Sequence, residues 1–350
     1  MPGWHAATQR FEQDGRLLNV GILQEQHPDR ARLFLQWQGI DWPILVDSLN
    51  RLDVNVVPIT LLIDENGVIR HRVSGRDDFV ASVESFLAEP TGDVPAAAPA
   101  PDLALDDRIG RAAFELGVFY RMRYDAQGDP ADFESAVEAW GRAVEADPNQ
   151  YIWRRRIQQY GPRLEKPYPF YDWVPVARAE IEARGETPAK LRVEPEGAEI
   201  AMPARRFDAA APTQGEPDPL GKVHRDAGDL VQVHSTVVPY AVAAGKTARV
   251  HLEFRPANED AHWNNEAGGM TLWIDAPEGW GVDRQRVERA NPPQPVSDES
   301  RRIEFEVQSP NDTEGVVQLP TYALYYVCLG EAGACLYRRQ DIPVLINVEP

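Results

Sequence analysis

Lysine and cysteine are both scarce in this chain. Lys166, Lys190, Lys222 and Lys246 are the only lysines beside a much larger number of arginines, a bias read as genomic composition. Basic charge as a whole is in deficit: 36 Lys plus Arg stand against 55 Asp plus Glu, a net charge of −19. That deficit argues against sequence-independent nucleic-acid binding, which relies on cations neutralising phosphates, and against docking on anionic lipid. The acidic excess reads as a contribution to solubility. Long apolar runs are missing as well. The most apolar stretch, VVPITLLI at Val56–Ile63, is less than half of the roughly 20 residues a membrane-spanning helix needs. The opening MPGWHAATQRFEQDG has neither the basic start nor the apolar core of a secretory signal. There is no phosphate loop, no dinucleotide fingerprint and no credible Ser-His-Asp spacing. Asn311-Asp312-Thr313 fits a glycosylation sequon, but a single match in a chain of this length is close to chance.

What is present is the composition of a folded, multidomain protein, 43% hydrophobic and 26% charged over 350 residues. Residues 1–89 alternate helix and strand. LLNVGIL (Leu17–Leu23) reads as a strand buried on both faces, His27-Pro28-Asp29 opens a helix with Leu33, Phe34 and Trp37 on its apolar face, and WPILVD (Trp42–Asp47) is a second strand. Ile59–Ile63 and Val68–Val73 form a hairpin turning at Glu65-Asn66-Gly67. A final helix places Phe79, Val83, Phe86 and Leu87 on one face. Residues 90–106, rich in Pro and Ala, read as a semi-rigid linker.

Residues 107–187 read as helical. Ala113, Leu116 and Tyr120 lie on one stripe, and Asp129-Pro130 caps and opens a helix whose apolar positions are Phe133, Val137, Trp140 and Val144. This antiparallel pair resembles a single tetratricopeptide unit, which cannot bury its own apolar face and is expected to pack on a neighbour. The aromatic and basic cluster from Trp153 to Trp173 reads as a packed, partly solvated segment between domains, with a binding surface as the alternative. Residues 188–350 change to short alternating strands, including LVQVHSTVV, TARVHLEFRP, MTLWIDAP and RRIEFEVQ, the pattern of an all-β sandwich. The fold class is therefore multidomain, α/β plus all-β.

The two cysteines, Cys328 and Cys335, bracket the hexapeptide Leu-Gly-Glu-Ala-Gly-Ala in the stretch YYVCLGEAGACLYRRQ. Its glycines allow a sharp turn, so the flanking strands are expected to pair and bring the thiols within bridging distance. The spacing is wrong for a zinc knuckle, and no second ligand pair accompanies it. Among the histidines, His251 and His262 fall nearest the centre of the β region, in no metal motif. Three readings stay open: a structural disulfide, two unrelated buried thiols, or a redox-active pair.

Two resemblances bear on this choice. WPILVDSLNRLDV and VVPITLLIDENGVIRHRV, in the order of elements above, resemble the thioredoxin-like fold, in particular its redoxin branch of TlpA-type proteins and peroxiredoxins. That resemblance implies a cis proline at Pro58, after Val57, facing an active site; a plain trans proline opening an edge strand is the alternative. The family's C-x-x-C falls where this chain reads Met1-Pro2-Gly3-Trp4-His5, without cysteine, so residues 1–89 cannot run dithiol chemistry, or act as a peroxidase, as written. Either preceding residues carry the thiols, and with them a signal peptide, or this half is a redox-inert relative that binds partners. Tyr325, Tyr326, Cys328, Cys335, Leu336 and Tyr337, the closing PVLINV, and FRPANEDAHWNNEAGGMTLWIDAPEGW (Phe254–Trp280) resemble the N-terminal, immunoglobulin-like domain of DsbD-type thiol:disulfide interchange proteins. The longer loop and Arg338 in place of that family's proline depart from it.

The second resemblance implies thiol–disulfide exchange with a redox partner protein, such as a thioredoxin-like donor or acceptor, without a cofactor. It makes Cys335 the attacking and Cys328 the resolving thiol, with Tyr326 and Tyr337 as possible shields; ordinary strand packing is the alternative for those tyrosines. The alternative function is a redox-inert adaptor stapled by a structural disulfide. A bridged pair points to an oxidising, periplasm-like compartment, whereas the visible N-terminus points to the cytoplasm.

Overall fold

A computed structural model describes residues 2–74, 78–94, 104–164, 169–201, 207, 215–330 and 333–350. Most of the Pro/Ala-rich linker, part of the aromatic and basic cluster, and Glu331-Ala332 of the inter-cysteine loop lie outside the described residues. The protein combines helices with many strands in two compact units. One comprises Met1–Val118, Arg142–Arg155 and Tyr171–Glu194; the other comprises Phe119–Gly141, Arg156–Phe170 and Pro195–Pro350.

The first unit starts with α1 (Pro2–Gln13), β1 (Gly21–Leu23), α2 (Pro28–Gln38), β2 (Ile44–Val46), β3 (Thr60–Ile63), β4 (Ile69–Val73) and α3 (Phe79–Ala88). Pro28 occupies the first turn of α2, where its missing N–H is not needed, and Gly39 ends the helix at φ 61°. The parallel pair β1–β2 and the antiparallel pair β3–β4 form separate two-stranded sheets. Gly67 supplies the positive φ of the hairpin turn, at 78°. Phe11, Leu62, Val73 and Val83 form a small core with Phe79, Phe86 and Leu87 packed against it. The β1 region does not match its sequence expectation. Leu18, Val20 and Ile22 are exposed, and the strand is three residues long, because it pairs along one edge with β2 alone.

The helical region contains α4 (Leu105–Gln127), α5 (Pro130–Ala146), α6 (Tyr151–Gln158) and α7 (Trp173–Ala183). Asp129 caps α5 by accepting from the Ala131 N–H at 3.1 Å. The buried stripe of α5 includes Phe133, Ala136, Val137, Trp140 and Ala143. On α4 the stripe lies one residue round from the expected one: Phe114, Gly117, Val118 and Arg121 are buried while Leu116 is exposed. An arginine inside the buried face defeats a reading based on hydropathy alone.

The second unit carries β5 (Val231–Val238), β6 (Ala241–Ala243), β7 (Thr247–Pro256), β8 (Ala261–Asn264), β9 (Met270–Ile274), β10 (Gly281–Val282), β11 (Arg286–Arg289), β12 (Val296–Ser297), β13 (Arg301–Gln308), β14 (Gly315–Leu329) and β15 (Cys335–Glu349). One sheet runs β10-β13-β7-β5; the other runs β11-β9-β14-β15-β6, with β8 pairing β14 and β12 pairing β8. Alternation decides what each strand buries. Val250, Leu252 and Phe254 of β7, Ile303, Phe305 and Val307 of β13, and Ala323, Tyr325 and Val327 of β14 enter one shared core. At some 25 cal/mol per Å² of apolar surface removed from water, such a core dominates the stability of the unit.

Candidate functional site

The two longest strands, β14 and β15, pair from Gly315 opposite Val348 to Cys328 opposite Cys335. Between the two cysteines the described residues are Leu329, Gly330, Gly333 and Ala334. Gly330 takes a φ of 65° and donates its N–H to the Asp260 carbonyl at 2.7 Å. A Cβ on Gly333 would lie 1.4 Å from the Leu329 carbonyl oxygen, so this position needs glycine. Cys328 and Cys335 are joined by a disulfide, and no free cysteine remains.

The bridge is asymmetric. Because Tyr325 and Val327 face the core, Tyr326 and Cys328 face the other way. Cys328 is only 3% exposed, whereas Cys335 is exposed. Thiol–disulfide exchange begins with attack on one sulfur along an open approach, and the sulfur left behind departs as a thiolate. The exposed Cys335 side is the open one.

Each neighbour of the bridge is fixed by the sheet. Tyr326 faces Tyr337 two residues along from the disulfide, with ring centroids 4.5 Å apart. Burial, followed by the neighbouring Tyr326, pushes the Tyr337 phenol up from its ordinary value. On the opposite edge of Cys328, β8 places His262 directly across from it. The next residue of β8, Trp263, is fully buried, donates its Nε1–H to the Glu299 carbonyl at 2.8 Å and lies 4.4 Å below the Arg301 guanidinium, which fixes the strand. On β14, the Tyr325 hydroxyl lies 2.7 Å from Asp226 Oδ2 and 2.9 Å from Gln340 Oε1, and burial pushes that phenol far up. The sulfur row thus rests on a backbone held from its inner face.

Sequence reasoning named Cys328, Cys335, Tyr326 and Tyr337, and the structure brings these four together. It did not connect His262 to them, since 65 intervening residues separate it from Cys328 and only strand register joins them. The signal available was the alternation of Ala261, His262, Trp263 and Asn264, which sends His262 to the outer face. Val57 and Pro58 belong to the other unit; the bond between them is cis and Val57 is exposed.

A second concentration of ionisable groups lies on the outer face of β7 and β13. Tyr124 donates to Glu253 at 2.6 Å, His251 Nδ1 lies 3.1 Å from Glu304, and Arg163 is 3.2 Å from Asp283. Burial pushes the Glu304 carboxyl up, but His251 and then Arg249 outweigh it and hold the group at about 2. The partly open pocket lined by Tyr124, His251, Glu253 and Glu304 offers about 40 Å³, room for water rather than an organic ligand. These groups pair largely with one another, which offsets the cost of burying them, and form a polar layer, although Arg163 Nε and Arg249 Nε find no hydrogen-bond partner among the described residues. Among the described residues no cluster of His, Cys, Asp or Glu is arranged to hold a metal ion, and no helix is long and apolar enough to cross a membrane.

No family model and no curated protein matches the chain. Solved structures with some similarity include AvmM, described as catalysing macrocyclization in alchivemycin A biosynthesis (11% identity, 35% of this chain and 91% of that one, TM-score 0.21). A cohesin module from a Clostridium perfringens family 33 glycoside hydrolase is similar at 13% identity over 35% of this chain and 99% of its own, TM-score 0.23. A FixG-related protein from Vibrio parahaemolyticus is similar at 7% identity over 33% and 97%, TM-score 0.17. Similarity at this level carries no argument about function.

Proposed function

We propose that this protein exchanges its Cys328–Cys335 disulfide with a dithiol partner protein. The observation that carries the reading is the exposure of Cys335 beside a buried Cys328 on a hairpin that does not need the bridge. The strands are already paired along their whole length, and the bridge closes a loop of only six residues between the cysteines. Such a short loop limits its stabilisation to about 2–3 kcal/mol.

In the exchange, a partner thiolate attacks Cys335 Sγ and forms a mixed disulfide. The Cys328–Cys335 bond breaks, and its electron pair leaves on Cys328. The partner's second thiolate then attacks its own sulfur in the mixed disulfide and releases Cys335. The partner becomes a disulfide, and this protein a dithiol. In reverse, Cys335 attacks a target disulfide and Cys328 resolves it. The resemblance of residues 240–349 to the N-terminal domain of DsbD-type proteins supports this direction of thought, as does the resemblance of residues 1–89 to a redoxin without thiols.

The test is the midpoint potential of the pair, read by thiol trapping and mass spectrometry across a dithiothreitol or glutathione series. A midpoint between about −120 and −270 mV, where dedicated oxidoreductases lie, is expected. A midpoint below about −300 mV identifies a structural staple and overturns the proposal in favour of a redox-inert interaction protein.

A further inference from the structure

We infer that His262 is a positioning residue for the exchange, acting on the sulfur of Cys328; the inference rests on the reading of the pair as redox-active. Strand register places His262, Cys328 and Cys335 in one row across β8, β14 and β15. Residues directly opposite in an antiparallel pair have Cβ atoms about 4.5–5.5 Å apart on a common face. Cys328 therefore lies between its disulfide partner on one side and an imidazole on the other. His262 is half-buried, and its ring makes no side-chain hydrogen bond among the described residues, so it is not committed to a structural partner.

The position matters because of the order of events. Attack enters at the exposed Cys335, and the departing sulfur is the buried Cys328. Burial opposes the charge that develops there, and a poorer leaving thiolate slows exchange. A protonated imidazole beside that sulfur offsets the burial by pairing with the thiolate or handing it a proton. In reverse, the same contact keeps Cys328 ready to resolve the mixed disulfide.

The ionisable groups around His262 come from each neighbouring strand. β14 contributes Cys328 and Tyr326, and β15 contributes Tyr337 beyond Cys335. Across the other edge of β8, Val296 pairs with Asn264 and Ser297 with Trp263. The exposed Asp298 follows Ser297 in the chain, just beyond the end of β12. Asp260 lies two residues before His262, in the turn that precedes β8.

The experiment reads the Cys328 thiolate directly, by its ultraviolet absorbance across a pH titration of the full chain carrying Cys335→Ser. Adding His262→Gln, which keeps size and polarity without a titratable ring, is expected to shift the Cys328 titration upward, leaving about tenfold less thiolate at neutral pH. His262→Ala should produce the same shift, and agreement between the two separates charge from packing. An unchanged Cys328 titration in both backgrounds overturns the inference, whatever the midpoint potential of the pair. A shifted titration with a potential below about −300 mV leaves the contact standing and removes the redox reading beneath it.

Discussion

Tyr326 and Tyr337 stack across β14 and β15 on the face that carries the disulfide, with planes 29° apart. Tyr337 is 39% exposed and Tyr326 is half-buried, so the pair forms a wall beside the bridge. Replacing Tyr337 with Ala removes half of this wall. Reduction of the disulfide by dithiothreitol is expected to accelerate several-fold, because removing the ring widens the approach to the exposed Cys335 sulfur. The loss of stability should be only about 1 kcal/mol, the range of an aromatic pair. Stopped-flow reduction at fixed pH, together with urea unfolding, checks both. An unchanged rate would reduce the tyrosines to strand packing.

Breaking the bridge should leave the β-rich unit folded. Hydrogen bonds along β14 and β15 and the core residues Leu319, Ala323, Tyr325 and Val327 are independent of the sulfurs. Cys328→Ser or full reduction is therefore expected to cost no more than about 2–3 kcal/mol. Urea midpoints of oxidised and reduced protein, followed by tryptophan fluorescence, give the comparison. Global unfolding on reduction would favour the structural staple.

Glu304 makes the stability of the β-rich unit depend on acid. Its folded value is about 2, against an ordinary 4.5, after the His251 and Arg249 interactions outweigh burial. A depressed carboxyl means that the unfolded chain binds the proton more readily, so stability rises with pH through this window. The contribution is complete above about 4.5 and is lost as pH falls towards 2, and its full size is on the order of 3 kcal/mol. Glu304→Gln should flatten the stability profile between those values and lower the plateau above them. Gly197 belongs to the same arrangement. At φ 55° it passes so close to the carboxylate that a Cβ there would overlap Glu304 Oε1, so Gly197→Ala should also lower the plateau.

The sequence shows how far local chemistry reaches. Pro28 at a helix start, the Asn66-Gly67 turn, and the alternation of Val250, Leu252 and Phe254 each follow from rules a few residues long, and each stands where those rules put it. What escapes is what depends on a distant partner. Arg249, Glu253 and Glu306 are charged residues on strand faces turned away from the sandwich core, yet they are buried because residues from Phe119–Gly141 and Arg156–Phe170 of the same unit cover that face. Leu18 and Val20 read as core, yet they are exposed, because a short strand paired along one edge has little to bury them against. The two cysteines were legible as a pair through their spacing, whereas His262 needed the register of a third strand.

Trp37 illustrates the same limit and offers a test in the first unit. Its place on the apolar face of α2 follows from periodicity, but its partner, Trp173 of α7, is far away in sequence. The two rings stack with centroids 5.9 Å apart and planes 4° apart, and Phe34 meets Trp173 edge-on at 5.4 Å. The contact is pinned from both ends. Trp37 donates its Nε1–H to Glu180 at 2.6 Å, and Arg184 donates to the carbonyls of Gln36 and Trp37 at 3.0 and 3.2 Å in the last turn of α2, where the Gln36 carbonyl also accepts from the Gly39 N–H at 3.3 Å. Trp173→Ala removes two aromatic contacts from a half-buried position and is expected to cost about 1–3 kcal/mol. Trp173→Phe should recover part of this, and Arg184→Ala should cost less than about 1 kcal/mol, the range of a helix-end interaction. Hydrogen exchange of the α2 and α7 amides reads these losses locally. Equal protection in Trp173→Ala and the parent protein would mean that Val174, Ala177 and Ile181, all buried on α7, hold that helix without the stacked rings.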